Sequence, residues 1–215
     1  MKTSLKVLGI MNGTSLDGVD FVLTHIKKSP LQVTFSNHTS CTFPPTLREK
    51  LKLATRHELK VAELARLHHE LGRFYAYQTE KLGLKKKWKF DLIGLHGQTV
   101  FHEGGNSTLQ IGEPSYLAAT TETPVIADFR AADLAVGGQG APLATFFHLI
   151  AFQKFIKQHP VCVHNLGGIS NVSYFRKGSV SLFLNSRKKD IFSFDTGPAN
   201  MLIDLLAQKL SNGIK

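Results

Sequence analysis

The pattern that most constrains this chain occurs twice. "GIMNGTSLDGVDFVL", Gly9 to Leu23, and "VCVHNLGGISNVSYF", Val161 to Phe175, each set a glycine-containing polar turn between two apolar runs. Runs of that kind pair as a strand hairpin, yet a tight hairpin needs only about two turn residues. The surplus in the first turn admits two readings: a tight structural turn, or a concavity of backbone N–H groups that holds an anion. Two such hairpins one small domain apart predict two similar halves, each opening on a turn that faces a shared cleft. Two unrelated hairpins are the alternative.

The rest of the chain alternates strand and helix signals. Leu31 to Phe43 alternates loosely and predicts a third strand. Thr46 and Glu49 have capping-box spacing for a helix start. Val61, Leu64, Leu67, Leu71, Phe74 and Leu82 share one face of a second helix, with Gly83 as its stop. "FDLIGLHGQTV" and "TPVIADF" read as further strands. Pro142 suits a first helical position, and Leu143, Phe146, Phe147, Ile150 and Ile156 give that helix a wide apolar face. "FDTGPANMLIDLLAQKL" reads as a strand end followed by a helix. The pattern is mixed α/β.

With 215 residues, 42% hydrophobic and 20% charged, the chain can bury a real core. There are 26 Lys plus Arg against 16 Asp plus Glu, a net charge of +10 that favours an anionic partner. The runs "KKKWK" (Lys85 to Lys89) and "RKK" (Arg187 to Lys189) read as solvated turns, because no aromatic-interleaved stripe accompanies them; nucleic-acid binding would rest on charge alone. Cys41 and Cys162 lack CxxC or His-spaced partners and read as small buried apolar residues. No run reaches the roughly 18 apolar residues of a membrane span, and Val7 to Met11 is too short for a signal-peptide core. The expected location is the cytoplasm.

Three stretches carry groups suited to chemistry. Gly13, Thr14, Ser15 and Gly18 fit an anion-holding turn, with Asp17 or Asp20 able to hold magnesium through water. There is no GxxxxGK[ST] or GxGxxG, so neither a P-loop nor a dinucleotide fingerprint applies. There is no GxSxG either, which argues against Ser15 as a nucleophile. "ADFRAADLAVGGQGAPLA" brings Asp128, Arg130 and Asp133 close to Gly137, Gly138, Gln139 and Gly140. It suits a carboxylate base beside a guanidinium, or an Asp–Arg pair that merely pins a loop. "HGQT", His96 to Thr99, ends a strand with hydrogen-bonding groups; His96 alone implies no catalytic role.

Taken in order, "GIMNGTSLDGVD", "LHGQTVFH", "TLQIGEPSYLA", "VIADFRAADLAVGGQGAPLA", "NLGGISNV" and "FDTGPANMLID" closely resemble the anhydro-N-acetylmuramic acid kinases of bacterial cell-wall recycling, over Leu8 to Leu206. The resemblance implies an actin-like (ribonuclease H-like) ATPase domain at 1–126 and the beginning of a second similar domain at 127–215. It implies that ATP, Mg2+ and water convert 1,6-anhydro-N-acetylmuramic acid to N-acetylmuramic acid 6-phosphate. Carried over by position, Gly13, Thr14, Ser15, Leu16, Asp17, Gly18, Val19 and Asp20 form the ATP-phosphate segment, and Asp133 is the general base. His96, Gln98, Arg130, Gly138 and Gln139 line the sugar side, and no residue is assigned as a direct metal ligand. The implied partners are the amino sugar and ATP, with no nucleic acid and no membrane, and a homodimer is compatible.

Some positions depart from the family. Asn12 stands where the family more often has Ser, and "APLAT" replaces a more usual Val-Pro after "APL". Asn165 stands where the wider fold often has Asp, which suggests a backbone contact to phosphate there. Relatives continue well past the last helix, including a Gly-rich segment that grips adenosine. A catalytically inactive remnant that keeps the sugar and phosphate loops is therefore the alternative to a working kinase.

Overall fold

The computed structural model describes residues 3–179 and 190–211. The "RKK" run at 187–189 lies outside them. The chain divides into two compact units, Met1–Gly140 and Ala141–Lys215. Residues 127–140, which the sequence places at the start of the second domain, belong to the first unit.

In the first unit, β1 (Ser4–Met11) and β2 (Gly18–Lys27) form the expected hairpin, in register from Ser4 opposite Lys27 to Met11 opposite Asp20. β3 (Gln32–Thr42) adds antiparallel to β2. β4 (Leu92–Leu95) lies parallel to the other edge of β1, and β7 (Val125–Ile126) parallel to β4. The five-stranded order is β3-β2-β1-β4-β7, three antiparallel strands followed by parallel ones. A parallel β4 cannot follow by a tight turn, so the long connection is helical. It holds α1 (Pro45–Thr55) and α2 (Val61–Lys86). β5 (Gln98–Glu103) and β6 (Ser107–Ile111) form a separate hairpin, followed by α3 (Ser115–Thr121) and, after β7, α4 (Phe129–Ala135).

The core of this unit lies between sheet and helices. Leu8, Ile10, Phe21, Ile93 and Leu95 from the strands meet Leu47, Leu51, Leu67, Leu71, Tyr75 and Leu117 from the helices.

Several local expectations change. Thr46 and Glu49 form no capping box: Pro45 takes the first helical position, and the Glu49 carboxylate accepts from Lys52 Nζ at 2.6 Å. One half of such a box occurs instead at α2, where Glu63 Oε2 accepts from the Lys60 N–H at 2.8 Å. Gly83 does not stop α2, which runs on to a left-handed Lys87 (φ 54°). In "KKKWK", Trp88 is buried while the lysines stay exposed.

The second unit is smaller. Pro142 lies before α5 (Thr145–Ala151) rather than in it, and the single predicted helix is two, with α6 (Gln153–Gln158) following at Phe152. Leu149 and Ile156 are buried, whereas Phe146 and Phe147 are exposed. β8 (Val161–Leu166) and β9 (Ile169–Phe175) form the second expected hairpin, and β10 (Ile191–Pro198) pairs antiparallel with β9 before α7 (Asn200–Leu210). Cys162 is exposed, not buried as its type suggested, and Cys41 is half-buried. Among the described residues no helix is long and apolar enough to cross a membrane.

Candidate functional site

The turn after β1 is closed by the Leu16 N–H donating to Gly13 O at 3.5 Å. Gly13, Thr14, Ser15 and Asp17 are exposed, while Leu16 and Val19 drop into the core. Leu16 carries the left-handed backbone of the turn, φ 56°. A buried apolar side chain offsets the strain of that conformation, which is of order 1–3 kcal/mol. Neither Gly13 nor Gly18 has a positive φ. Gly18 serves another purpose: a Cβ there would overlap the carbonyl oxygen of Cys41 on β3. Of the eight residues expected at the phosphates, Leu16 and Val19 therefore offer backbone only.

Charged groups flank the turn. Arg48 Nη2 on α1 donates to Asp17 Oδ1 at 3.4 Å, and its Nε is buried with no hydrogen-bond partner. Asp20 Oδ1 bonds His38 Nε2 at 2.9 Å. The sequence pattern passed over Arg48, which sits 31 positions from Asp17 and carries no local signal.

Beneath the turn lies a buried polar chain. The Tyr75 hydroxyl, on α2, donates to Asn12 Oδ1 at 2.5 Å. Asn12 Nδ2 donates to Gln98 Oε1, and Gln98 Nε2 to Thr99 O at 3.2 Å. Burial pushes the Tyr75 phenol far above its ordinary range despite the Asn12 hydrogen bond, so it remains a neutral donor. Gln98 is wholly buried. Its amide lies at the root of the loop, bonded to Asn12 and to the Thr99 carbonyl.

The other expected residues converge. His96 Nδ1 lies 2.8 Å from Gly97 O, which can only accept, and its Nε2 lies 3.0 Å from Arg130 Nε, which can only donate. The imidazole is therefore the neutral Nδ1–H form. Burial, with a smaller contribution from the Arg130 charge, lowers its pKa against the opposing Gly97 hydrogen bond. Arg130 Nη1 donates to Gly140 O at 2.8 Å, and the Gly140 N–H donates to Asp133 Oδ2 at 2.7 Å. A Cβ on Gly138 would overlap the Asp133 carboxylate, so the glycine loop must be bare there to fold over it. Asp133 Oδ1 has no hydrogen-bond partner among the described residues. Gln139 is exposed beside the β5–β6 turn, where a Cβ on Gly104 would stand 3.1 Å from its Oε1.

Next to His96 is a cavity of about 200 Å³, lined by His68, Gln110, Gly112, Glu113 and Asp128 among others. Glu113 accepts from the Ser115 hydroxyl at 2.5 Å, the Ser115 N–H at 2.9 Å and His68 Nε2 at 3.0 Å. Those bonds, the Ser115 hydroxyl first, hold its carboxyl down to about 2 against a small desolvation penalty. The Gly112 N–H donates to His68 Nδ1 at 3.0 Å, which fixes that ring as well. Neither residue was singled out from sequence; the available signal was a lone acid between Gly112 and Pro114. Among the described residues no group of three or more His, Cys, Asp or Glu could hold a metal ion.

A family model described as anhydro-N-acetylmuramic acid kinase matches residues 5–213. A protein of that name from Picosynechococcus sp. is 36% identical over 216 residues, covering 97% of this chain and 55% of the relative. One from Salinibacter ruber is 37% identical over 219 residues, covering 95% and 53%. One from Bacillus cereus is 36% identical, again covering 95% and 53%. The chain thus spans about half the length of the curated relatives it matches. Among solved structures, a Ppx/GppA family member from Aquifex aeolicus aligns at 11% identity and TM-score 0.41, covering 99% of this chain and 63% of that one. Hexokinase from Schistosoma mansoni in complex with glucose aligns at 11% identity and TM-score 0.29, covering 90% and 40%. A match across nearly the whole chain, at this identity to several relatives, establishes that the chain belongs to the anhydro-N-acetylmuramic acid kinase family.

Proposed function

We propose that the chain supplies the phosphate turn and the sugar-side loops of a kinase that converts 1,6-anhydro-N-acetylmuramic acid, water and ATP to N-acetylmuramic acid 6-phosphate and ADP. The observation that carries the reading is the cluster in which Arg130 bonds both His96 and Gly140 while Gly140 bonds Asp133. One Asp133 oxygen is held by a backbone N–H and the other is left to take a proton from water. The attacking water forms a bond to the anomeric carbon and its proton passes to Asp133. The bond from that carbon to O6 breaks, and O6 attacks the γ-phosphorus as ADP departs. Neutral His96 cannot compete as an acid and keeps Arg130 in place.

The exposed N–H groups and hydroxyls of Gly13, Thr14 and Ser15 suit phosphate oxygens, and the unpartnered Nε of Arg48 gives an anion a charged partner nearby. The donor chemistry also fits magnesium, which takes one or two carboxylates plus water and phosphate oxygens; Asp17 and Asp20 are exposed and each has only one oxygen engaged. When bound, the ion would spread the charge that develops on the phosphates. The cavity beside His96 suits one sugar ring, with Asp128 and Gln110 at its wall.

The test is ADP release that depends on the anhydro-sugar, from the chain alone and from Asp133→Asn. The expected result is sugar-dependent ADP, reduced by about 10²–10⁴-fold in the variant, the usual worth of a general base. Turnover that survives Asp133→Asn overturns the base assignment. No turnover from the unaltered chain favours the remnant, or a kinase that needs further polypeptide.

A further inference from the structure

Away from the site described above, a second concavity opens near the start of β1, the end of the strand remote from the β1–β2 turn. Lys6 stands five residues before Met11, roughly 16 Å along an extended strand. The connection from α2 to β4 is pinned against it: the Asp91 N–H donates to Lys6 O at 2.8 Å, and Asp91 Oδ2 accepts from the Lys6 N–H at 2.9 Å. Beside them lies a cavity of about 470 Å³, lined by Lys6, Asn37, Lys86, Lys87, Trp88 and Lys89 among others. Four lysines from two separate stretches thus meet at one hollow, and among the described residues no acid lines it.

The fold places those lysines. α2 ends at the left-handed Lys87, φ 54°, a position that more often takes glycine. The turn lets Trp88 enter the core while the lysines on either side of it stay exposed. Lys86 Nζ lies 5.3 Å from the centroid of the Trp88 ring. Among the described residues none of the four ammonium groups makes an ion pair, whereas Lys50 and Lys52 on α1 each hold a glutamate. Lys86 also suits the negative end of the α2 dipole, but that accounts neither for Lys6 on β1 nor for Lys89 beyond the helix. Like charges gathered without acids repel one another, and an anion in the hollow relieves that repulsion.

We propose that this hollow binds a compact, multiply charged phosphate anion, the oligophosphate group of a small soluble molecule. The donors set the class: ammonium groups are point charges that suit phosphate oxygens, and no guanidinium fork lines the cavity to select a planar carboxylate. The volume falls within the roughly 300–1,000 Å³ of small-molecule sites, and Asn37 adds an amide to the wall. Trp88 is 8% exposed, so it offers no face on which the bases of a single-stranded nucleic acid would stack. The hollow uses neither the β1–β2 turn nor Asp133, so it stands or falls apart from the kinase reading.

Trp88, the chain's single tryptophan, reports on the site. Tripolyphosphate titrated at constant ionic strength is expected to give a saturable change in Trp88 emission as the anion draws Lys86 from the ring, with pyrophosphate weaker and inorganic phosphate weaker still. Lys87→Asn with Lys89→Gln keeps a residue that tolerates the left-handed backbone. That pair is expected to raise the dissociation constant by about tenfold or more, because two charge-assisted bonds are lost. Lys6→Gln, on the other wall, is expected to weaken binding by itself, so the test does not rest on the end of α2 alone. Lys154→Gln with Lys157→Gln makes the same charge change on α6, at exposed sites, and should leave the constant unchanged. A response that survives the lysine variants of the hollow overturns the proposal. So does one that is lost when Thr14→Ala with Ser15→Ala strips the hydroxyls from the β1–β2 turn, which would move the anion there. An emission change that sodium chloride reproduces, or tighter capture of a short duplex DNA through the same lysines, overturns it as well, the latter by assigning the surface to a nucleic-acid backbone.

Discussion

Tyr75→Phe is the sharpest single perturbation of the buried chain that roots the β1–β2 turn. It removes one oxygen, keeps the ring packed in the core, and leaves Asn12 Oδ1 without its donor. Asn12 is 2% exposed and Tyr75 fully buried, so water cannot replace the hydroxyl. A buried acceptor left unsatisfied costs about 1–3 kcal/mol, against the roughly 5–15 kcal/mol that holds a domain together. With a urea slope of about 1–3 kcal/mol/M, a 2 kcal/mol loss lowers the unfolding midpoint by about 1 M. The chain's single tryptophan, Trp88, is buried in the same core and reports that transition by fluorescence. Tyr77→Phe, two residues on and on the exposed side of α2, is the control and should stay within about 0.5 kcal/mol. Combining Tyr75→Phe with Asn12→Leu should give a coupling of about 0.5–3 kcal/mol. Amide exchange should quicken at 13–18 before it does elsewhere in the unit. A Tyr75→Phe midpoint equal to that of Tyr77→Phe, with unchanged exchange at the turn, would refute the network.

Other expectations follow from particular contacts. Gly18→Ala drives a methyl into the Cys41 carbonyl and should cost about 1–3 kcal/mol, read as a urea midpoint shift; a neutral result would mean β3 does not pass so close. Glu113 is held down to about 2 when folded, so its contribution is full above the ordinary carboxylate range and fades as pH falls toward about 2. Glu113→Gln should flatten that acid limb of stability, and an unchanged limb would exclude the Ser115 and His68 bonds. The folded pKa of His96 is lowered, so below about 6.5 the unfolded chain takes up a proton that the folded ring resists, and stability falls with pH. Imidazole nitrogen NMR should find the Nδ1–H form at neutral pH; a ring that titrates at or above the ordinary value would refute the Arg130 contact.

Both hairpins were legible because their signal is local: apolar runs around a glycine-bearing turn leave little else to form. Helix ends were less so. Gly83 has the composition of a stop, yet nothing in its surroundings requires one, and the helix continues until Lys87 adopts the left-handed backbone itself. Thr46 has capping spacing, but Pro44 and Pro45 already set the start of α1 and Lys52 captures the acid the box would use. Gln98 was read as a hydrogen-bonding group at a strand end, and the structure buries it. Val100 is buried as well, but the β5–β6 register shifts between Thr99 and Phe101, a break that simple alternation does not announce.

The chemistry of the candidate site was readable as residue types, and its spacing was not. His96 stands out as a polar group past a strand end, and Arg130 and Asp133 as charged groups on the short α4 that leads into the glycine loop. What sets their distances is elsewhere. The His96 N–H donates to Ile10 O at 3.0 Å, and Asn12, two residues further along the chain, holds Gln98, two residues beyond His96. The β1–β2 turn and the loop after β4 are thus tied at their roots by one backbone bond and one buried amide pair, with Tyr75 reaching in from 63 positions away. Asn12 can make both contacts because its amide presents a donor and an acceptor on separate atoms. A serine at this position would have a single, shorter hydroxyl to offer Tyr75 and Gln98. In this chain the separation of the two loops therefore depends on a buried asparagine.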